Sequence, residues 1–178
     1  MLLTSFAGVL REKFHMKIAI CPGSYDPVTY GHLDIIKRSA VLVDKLIVTV
    51  FVNPSKKTSL FSIEERLDML RETTKDIPNV EVDTSTGLLN VYAASKNCHL
   101  LIRGLRAFSD FEYEFQRALM IKKIDPTLET AFFMTDGRYS YLSSTGVREL
   151  AYFNGDVSQM VPPYVEAMIE KKLKLLKK

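Results

Sequence analysis

Hydrophobic residues in this chain fall into two kinds of segment that alternate along its length. Short continuous apolar runs, often rich in β-branched residues, are typical of strands buried on both faces of a sheet. Between them, apolar residues recur every three or four positions, as they do on one face of a helix. The predicted strands are Lys17–Cys21, Lys45–Val52, Asn79–Asp83, His99–Ile102 and Glu129–Met134. The predicted helices are Gly31–Val43, Ser62–Thr74, Leu88–Ser95, Ser109–Lys123 and Ser144–Tyr152, and Pro162-Pro163 opens a last, C-terminal helix.

Five strands separated by helices predict an α/β fold with a five-stranded, mostly parallel sheet and right-handed crossovers. A length of 178 residues suits one domain with a core of its own. No repeat, low-complexity tract or linker divides the chain, so we predict a single domain over residues 16–178. Residues 1–15 precede the first strand, and we interpret them as an N-terminal extension from an upstream start or an added segment.

Composition and charge narrow the classes of function. The net charge of +3 is too small to predict nucleic-acid binding. No apolar run approaches the roughly 20 residues that span a bilayer, and the N-terminus lacks the basic start and cleavage site of a secretory signal. Cys21 and Cys98 have no metal-ligand spacing and are predicted to be buried, reduced thiols. We therefore expect a cytoplasmic protein with no membrane partner.

Glycines, hydroxyl groups and cations collect where the predicted strands end. In open α/β sheets, ligands bind at the carboxyl ends of the strands, near the point where strand order reverses. The sequence therefore predicts that these segments converge on one polyphosphate site. They are Pro22–Pro27, Asn53–Lys57, Thr84–Leu89, Arg103–Arg106 and Tyr139–Thr145.

The first of these segments leads directly into a helix. Gly23 allows close backbone approach to a ligand, and Ser24 adds a hydroxyl group. Gly31 and His32 then begin the helix, whose free N–H groups and dipole favour an anion. Nε2 of His32 is a candidate donor to a phosphate oxygen. The alternative is that His32 serves only as a capping or surface residue.

The other segments supply cations and hydroxyl groups, each with a structural alternative. Lys56 and Lys57 are of a kind usually found solvated in loops, but at the carboxyl end of the second strand one of them is expected to face the site and suit a phosphate. Arg103 and Arg106 flank a glycine and can bind phosphate at two points, whereas Asp110, Glu112 or Glu114 could engage them in structural salt bridges. Ser143, Ser144 and Thr145 can cap a helix and bind an anion with the same groups.

The sequence lacks several familiar catalytic patterns. It contains no Walker A motif, no Gly-rich dinucleotide fingerprint, no serine nucleophile elbow and no metal-ligand cluster. These absences argue against covalent catalysis. The candidate residues instead suit transfer of a phosphate-containing group by positioning and charge stabilisation.

With these residues in place, the chain resembles the bacterial phosphopantetheine adenylyltransferases, members of the nucleotidyltransferase superfamily with a (T/H)-x-G-H motif. The resemblance runs from about Met16 to the C-terminal helix, and it implies a Rossmann-like nucleotidyltransferase fold. The motifs that carry it are Pro22–His32, Pro54–Lys57, Leu101–Arg106, Asp110–Glu114 and Ser143–Thr145. The Gly31-His32 pair indicates only the superfamily, whereas the Arg103–Arg106 segment followed by Asp110–Glu114 is specific to this family.

The resemblance implies adenylyl transfer from ATP to 4′-phosphopantetheine, giving dephospho-coenzyme A and pyrophosphate. It implies Mg²⁺ held mainly by phosphates, with no protein metal ligands, and a homohexamer for which coenzyme A is a candidate feedback ligand. It assigns transition-state stabilisation to His32 and catalytic roles to Lys56 and Arg103. The implied acceptor contacts are Ser24, Lys56, Leu89 and Arg103. The implied ATP contacts are Ser24, Tyr25, His32, Gly104, Leu105, Arg106, Glu114, Tyr139, Ser140, Tyr141, Leu142, Ser143, Ser144 and Thr145.

Two other functions remain open at this point. One is a related nucleotidyltransferase, such as a nicotinate-mononucleotide adenylyltransferase or a cytidylyltransferase, because Ser143–Thr145 followed by Val147-Arg148 is shared with such enzymes. The other is a nucleotide-binding sensor without turnover. The presence of His32, Lys56 and Arg103 argues against a sensor, since a protein that only binds has no need of groups that stabilise a transition state.

Overall fold

The computed structural model describes residues 16–51, 59–106 and 108–176. Within these ranges, strands and helices alternate along the chain. The strands are β1 Ile18–Gly23, β2 Lys45–Phe51, β3 Val80–Ser85, β4 Leu100–Leu105 and β5 Glu129–Met134. The helices are α1 Tyr30–Ala40, α2 Ile63–Thr74, α3 Leu89–Ser95, α4 Phe108–Ile124, α5 Ser144–Tyr152 and α6 Pro163–Leu176, with a 3-10 turn at Gly137–Tyr139.

The five strands form one sheet in the order β3-β2-β1-β4-β5. Every neighbouring pair is parallel, which confirms the predicted α/β fold. The chain builds β1, β2 and β3 outward to one side, then returns to place β4 on the other side of β1. Strand order therefore reverses between β1 and β4, and a ligand is expected at their carboxyl ends.

The central strands are buried on both faces, as their continuous apolar runs predict. Ala19 and Cys21 face the larger core, together with α1, α2, α5 and α6. Ile20 lies between them and faces the smaller core on the opposite side, beside Tyr92 of α3. Cys21 and Cys98 are free and buried, which confirms the prediction for both thiols.

Three strands extend two or three residues past their predicted ends. One is β3, which ends at Ser85 and not at Asp83, and the other two errors affect the site. Pro22 and Gly23 continue β1, where they pair with Thr49 and Val50 of β2. On the other side of β1, the ladder with β4 contains only the pairs formed by Ala19 and Ile20. Pro22 has no N–H with which to extend that ladder, so β1 and β4 are not paired beyond Ile20.

The second error concerns Arg103, Gly104 and Leu105, which continue β4 instead of leaving it. All three pair with β5. Gly104 also allows α1 to pack closely, because a Cβ atom there would lie 2.9 Å from Cγ1 of Ile35. Strand geometry therefore fixes the backbone of Arg103.

The helices begin and end close to their predicted limits. Ser62 caps α2, and the capping box with Glu65 predicted from the sequence is present, with N–H to oxygen distances of 3.2 and 2.7 Å. On α6, Val165 and Ile169 are buried in the core, whereas Leu176 is exposed. The apolar stripe of this helix, formed by Val165, Met168, Ile169, Leu173 and Leu176, is therefore mostly part of the core. No helix among the described residues is long and apolar enough to cross a membrane.

Candidate active site

A cleft of about 370 Å³ lies at the carboxyl ends of β1 and β4. This is the place where strand order reverses and where the two strands are no longer paired. Its walls come from the turn after β1, the start of α1, the end of β4, the first turns of α4 and the N-terminus of α5. The cleft lies at the sheet edge where the sequence predicts the site.

Most of the candidate residues that the structure describes meet in this cleft. They are Ser24, Tyr25, His32, Arg103, Gly104, Arg106, Glu114, Leu142, Ser143, Ser144 and Thr145. Leu89 lines a small adjacent cavity together with Arg103 and Glu114.

The remaining candidates lie elsewhere or outside the described residues. Leu105 is buried, with 4% of its surface exposed, and does not line the cleft. Tyr139 stacks on Tyr30, with Ser140 and Tyr141 following it. Lys56 and Lys57, within the predicted segment Asn53–Lys57, lie outside the described residues, as does the N-terminal extension 1–15. Among the residues lining the main cleft, none comes from the predicted segment Thr84–Leu89.

His32 is both a capping residue and a candidate donor. The backbone N–H of Thr29 donates to Nδ1 of His32 at 3.0 Å, and the His32 N–H donates back to the Thr29 hydroxyl, completing a capping box. Because Nδ1 accepts this hydrogen bond, the proton of the neutral ring lies on Nε2. Burial lowers the pKa of His32 to about 4, helped by the positive charges of Arg106 and Arg103. At neutral pH the ring therefore offers an uncharged Nε2–H donor.

The Tyr25 ring lies at the bottom of the cleft. Its backbone adopts φ 46°, and its ring is almost fully buried beside His32, with centroids 5.1 Å apart. Its hydroxyl donates to the carbonyl oxygen of Cys21 at 2.9 Å, and burial raises the pKa of this hydroxyl. The buried Tyr25 ring therefore packs against the His32 ring.

Gly23 lines the cleft, and the structure shows a second reason for a glycine at this position. A Cβ atom at Gly23 would lie 2.8 Å from Cε2 and Cζ of the Tyr25 ring. The glycine therefore makes room for the ring to fold back beneath the cleft.

Replacing Gly23 with alanine is expected to lower the free energy of unfolding by about 1–3 kcal/mol, the usual cost of overpacking a core. Urea denaturation measures this change. Gly137→Ala is the matched control, because a Cβ atom there meets nothing within 4 Å. In a Tyr25→Leu background the cost of Gly23→Ala should shrink. An equal cost in both backgrounds would show that the Tyr25 ring is not the cause.

Arg103 forms a salt bridge with Glu114 and still lines the cleft. Its Nε and Nη2 atoms donate to the two carboxylate oxygens of Glu114 at 2.7 and 2.5 Å. Its Nη1 atom donates to the carbonyl oxygen of Pro22. This last bond joins β4 to β1 where the ladder between the strands has ended. Arg103 therefore makes the structural salt bridge that was considered as an alternative, and it also lines the cleft.

Arg106 repeats the same arrangement three residues later. Its Nε and Nη2 atoms donate to the carboxylate of Asp110 at 2.8 and 3.2 Å, and Nη1 donates to the carbonyl oxygen of Leu142 at 2.7 Å. The arginine thereby connects α4 with the loop before α5. Both guanidinium groups lie on the cleft wall.

The three consecutive hydroxyl groups before and within α5 all have protein partners. The Ser143 hydroxyl accepts from the Gly146 N–H at 3.0 Å, which caps the helix. The Ser144 hydroxyl donates to the carbonyl oxygen of Pro27, and the Thr145 hydroxyl accepts from Arg148. Capping therefore accounts for the Ser143 hydroxyl and occupies the Gly146 N–H. The N–H groups of Ser144 and Thr145, at the start of the helix, have no intrahelical acceptor and suit an anion.

Three further residues tie the active-site turn to the helices and were not among the predicted site residues. Asp26, 4% exposed, accepts from the backbone N–H groups of Leu60 and Phe61 at 3.1 and 2.9 Å. Arg66 lies 3.8 Å from its carboxylate, and Arg148 donates to its backbone oxygen. A sequence signal existed for Arg66: a charged residue on the apolar face of a helix, three positions after Ile63 and one before Leu67.

Comparison with known proteins identifies the family. The chain is 57% identical to the phosphopantetheine adenylyltransferase of Caldanaerobacter subterraneus over 159 residues, covering 89% of this chain and 99% of the relative. The chain belongs to the phosphopantetheine adenylyltransferase family. Phosphopantetheine adenylyltransferases of Desulfosudis oleivorans and Carboxydothermus hydrogenoformans are 55% and 54% identical, covering 89% and 88% of this chain and 94% and 96% of their own. The resemblance found in the motifs is confirmed.

Broader comparisons agree with this assignment. Residues 20–150 match the cytidylyltransferase-like family. This match is at the level of the superfamily to which the phosphopantetheine adenylyltransferases belong. A solved structure described as a nicotinate-nucleotide adenylyltransferase from Vibrio parahaemolyticus superposes with a TM-score of 0.65 at 18% identity, covering 89% of this chain and 94% of that one. At this identity the likeness shows the nucleotidyltransferase fold alone.

Proposed function

We propose that this protein transfers the adenylyl group of ATP to 4′-phosphopantetheine, giving dephospho-coenzyme A and pyrophosphate. The observation that carries the proposal is the identity of 54–57% to proteins named phosphopantetheine adenylyltransferases over nearly their whole length. The cleft supports it, because Arg103, Arg106, His32 and the N-terminus of α5 line its walls and suit phosphate groups.

In the proposed reaction, a phosphate oxygen of the acceptor attacks the α-phosphorus of ATP. The new O–P bond forms as the bond between the α-phosphorus and the β-bridging oxygen breaks, and pyrophosphate leaves with that electron pair. Negative charge develops on the non-bridging oxygens of the α-phosphate. The Nε2–H of His32 is the proposed donor to one of these oxygens, and Arg103 and Arg106 supply positive charge on either side.

The proposed division of the cleft places the acceptor near Arg103 and ATP near Arg106. Leu89 and Arg103 line one small cavity beside the main cleft, and it is the resemblance to the family that assigns both residues to the acceptor. Lys56 is proposed to join them. Arg106 contacts the loop before α5, which supports a role with the helix N-terminus in binding ATP. Ser24, between the two sides, is proposed to contact both ligands.

Mg²⁺ is proposed to act through the phosphates of ATP, where it would neutralise charge on the leaving pyrophosphate. Among the described residues, no group of three or more His, Cys, Asp and Glu side chains could hold a metal ion. The carboxylates that line the cleft, those of Asp26, Asp110 and Glu114, all face arginines. Mg²⁺ often binds through substrate phosphates and water, which is compatible with this arrangement.

A homohexamer, with coenzyme A as a feedback ligand, also remains a proposal. The apolar stripe of α6 does not support it, because that stripe is mostly buried in the core. Exposed apolar side chains on α4, among them Leu119, Met120 and Ile124, are better candidates for a subunit contact. Light scattering of the purified protein measures the mass of the assembly.

A pyrophosphate-release assay tests the reaction. ATP and Mg²⁺ are supplied with 4′-phosphopantetheine, nicotinate mononucleotide or a sugar phosphate in separate reactions. We expect turnover with 4′-phosphopantetheine alone. Turnover with another acceptor and none with 4′-phosphopantetheine would overturn the proposal, and ATP binding without any turnover would indicate a sensor.

A further inference from the structure

Helix α3 has little in its own sequence to hold it in place. It is only seven residues long, and within the described part of the chain no side chain caps its first turn. Helices this short are not stable in water on their own, so most of their stability comes from contacts with the rest of the protein. The position of α3 on the sheet therefore depends on the side chains that attach it there.

The side chain of Tyr92 attaches α3 to two strands of the sheet. Tyr92 is 9% exposed, and its hydroxyl donates to Oδ2 of Asp83 on β3 at 2.7 Å. The same hydroxyl accepts from the Thr49 hydroxyl on β2 at 3.2 Å. Thr49 and Asp83 are partners in the ladder of β2 and β3, so their side chains lie next to each other on one face of the sheet. The Tyr92 hydroxyl is thus held at the junction of these two strands.

The carboxylate of Asp83 also holds α3 at a second point. Nζ of Lys96, at the C-terminal end of the helix, lies 2.7 Å from the same Oδ2 atom and 5.5 Å from the centre of the Tyr92 ring. Tyr92 and Lys96 are four residues apart, which places them on one face of the helix. Burial raises the pKa of Tyr92, so its hydroxyl stays protonated and can donate. One carboxylate therefore contacts two successive turns of α3.

Thr49 and Tyr92 place hydroxyl groups at the edge of an apolar core. The Tyr92 ring belongs to the same core as Ile47 and Leu101. Apolar side chains would fill this space as well, whereas a satisfied network of hydrogen bonds has a direction and specifies one arrangement. The network therefore determines where α3 lies on the sheet, beyond filling the space beneath it.

Leu89 connects α3 with the cleft. It lies three residues before Tyr92, on the same side of the helix, and packs against the same core. It also lines the small cavity beside the main cleft, together with Arg103. A shift of α3 on the sheet would therefore move Leu89 relative to the cleft.

We propose that Tyr92 is a positioning residue, whose hydrogen bonds to Thr49 and Asp83 fix α3 on the sheet and thereby fix Leu89 beside the cleft. Tyr92 is not among the described residues that line the cleft or the small cavity, so it acts through Leu89. That Leu89 meets the acceptor rests on the proposed function. The observation behind the proposal is the pair of hydrogen bonds that joins one buried hydroxyl of α3 to two strands.

Steady-state kinetics of Tyr92→Phe test the proposal. Phenylalanine keeps the ring, including its edge-to-face contact with Phe51 at 5.6 Å between centroids, and removes only the hydroxyl. The KM for 4′-phosphopantetheine is expected to rise about 3- to 10-fold, as for loss of one hydrogen bond, while kcat and the KM for ATP change less than about twofold. An unchanged acceptor KM, or equal rises of both KM values, would overturn the proposal.

Tyr164→Phe is the matched control. The Tyr164 hydroxyl donates to the carboxylate of Asp68 at 2.5 Å, so this change removes the same kind of hydrogen bond from an exposed contact between α6 and α2. It should leave both KM values within about twofold of wild type. Rises in the control as large as those in Tyr92→Phe would show that the effect is not specific to α3.

A double-mutant cycle tests whether Tyr92 acts through Leu89. In a Leu89→Ala background most of the side chain that α3 presents to the small cavity is gone. Tyr92→Phe should then raise the acceptor KM less than about twofold. The same rise in both backgrounds would contradict the proposal.

Amide hydrogen exchange tests the position of α3 without relying on turnover. In Tyr92→Phe, exchange within Leu89–Ser95 should become about 3- to 10-fold faster, while exchange in α2 stays unchanged. Unchanged exchange in α3 would overturn the proposal. If the proposed function alone is wrong, exchange in α3 would still become faster, and the wild-type protein itself would show no turnover with 4′-phosphopantetheine.

Should Tyr92→Phe not fold, Asp83→Leu tests the same point, because it removes the acceptor of the same hydrogen bond. We expect a raised acceptor KM with an unchanged ATP KM. Asp83→Asn should lie closer to wild type, since its amide oxygen can still accept from Tyr92. An unchanged acceptor KM in Asp83→Leu would overturn the proposal.

Discussion

Replacing His32 with alanine is expected to lower kcat about 100- to 1,000-fold while changing the affinity for ATP less than about tenfold. The reason is that the Nε2–H donor is proposed to meet charge that develops only in the transition state. An interaction made only there affects kcat, whereas one made equally in the ground state affects KM. Pyrophosphate release at saturating substrates measures kcat, and calorimetry measures ATP binding.

Glutamine at position 32 is the informative companion variant. Its amide nitrogen occupies nearly the position of Nε2 and donates a hydrogen bond without carrying charge. If a neutral donor is what the reaction needs, His32→Gln should retain at least about tenfold more kcat than His32→Ala. Equal kcat in the two variants, or loss of ATP binding without loss of kcat in His32→Ala, would contradict this role.

The pH dependence of the reaction gives a separate check on the charge of His32. Its pKa in the free protein is lowered from 6.5 to about 4, so the ring loses its proton well below neutral pH. The value of kcat/KM reports ionisations in the free enzyme. Between about pH 6 and 9, the profiles of wild type and His32→Gln should therefore have the same shape. An acid limb near pH 6.5 in wild type alone would show that His32 titrates there.

The capping box explains why this histidine can be both neutral and well oriented. Thr29 and His32 exchange hydrogen bonds at the start of α1, so the ring is fixed before any ligand arrives. Arg103 and Arg106 disfavour its charged form from the other side. The sequence offered capping and catalysis as alternatives for His32, whereas in the structure capping is what orients the candidate donor.

The fold was predictable because each element carries a strong local pattern. The apolar run of β2 indicates a strand buried on both faces, and the capping box of Ser62 and Glu65 predicts the start of α2. The position of the site followed from the general behaviour of open α/β sheets. The site could be predicted without knowledge of the strand order, since glycines, hydroxyl groups and arginines already marked the ends of the relevant strands.

The partners of the candidate residues could not be predicted, because they depend on contacts between distant segments. Arg103 reaches Pro22, 81 residues earlier, only because β1 and β4 are neighbours in the sheet. The extension of β4 through Leu105 also escaped prediction, since Gly104 reads locally as the end of a strand. Gly104 is instead required by the close approach of Ile35 on α1. Long-range packing therefore overrides the local signal at both strand ends.

Replacing Asp26 with alanine is expected to lower the free energy of unfolding by about 3–5 kcal/mol, the usual effect of breaking a buried ion pair. Arg66 is 7% exposed, so its charge cannot easily turn toward water when the Asp26 carboxylate is removed. The N–H groups of Leu60 and Phe61 would lose their acceptors as well. For a domain whose total stability is about 5–15 kcal/mol, this is a large fraction. Urea denaturation followed by circular dichroism measures it.

Asp76→Ala is the matched control, because it removes an exposed aspartate and should change stability by less than about 0.5 kcal/mol. Combining Asp26→Ala with Arg66→Met removes both charges of the pair. The double variant should then be destabilised by less than the sum of the two single variants, since no uncompensated buried charge remains. Strict additivity, or a loss below about 1 kcal/mol for Asp26→Ala, would show that this pair does not secure the active-site turn. If the expected loss is found, the turn that carries Ser24 and Tyr25 is held in place by the buried carboxylate of Asp26 within it, which faces Arg66 of α2.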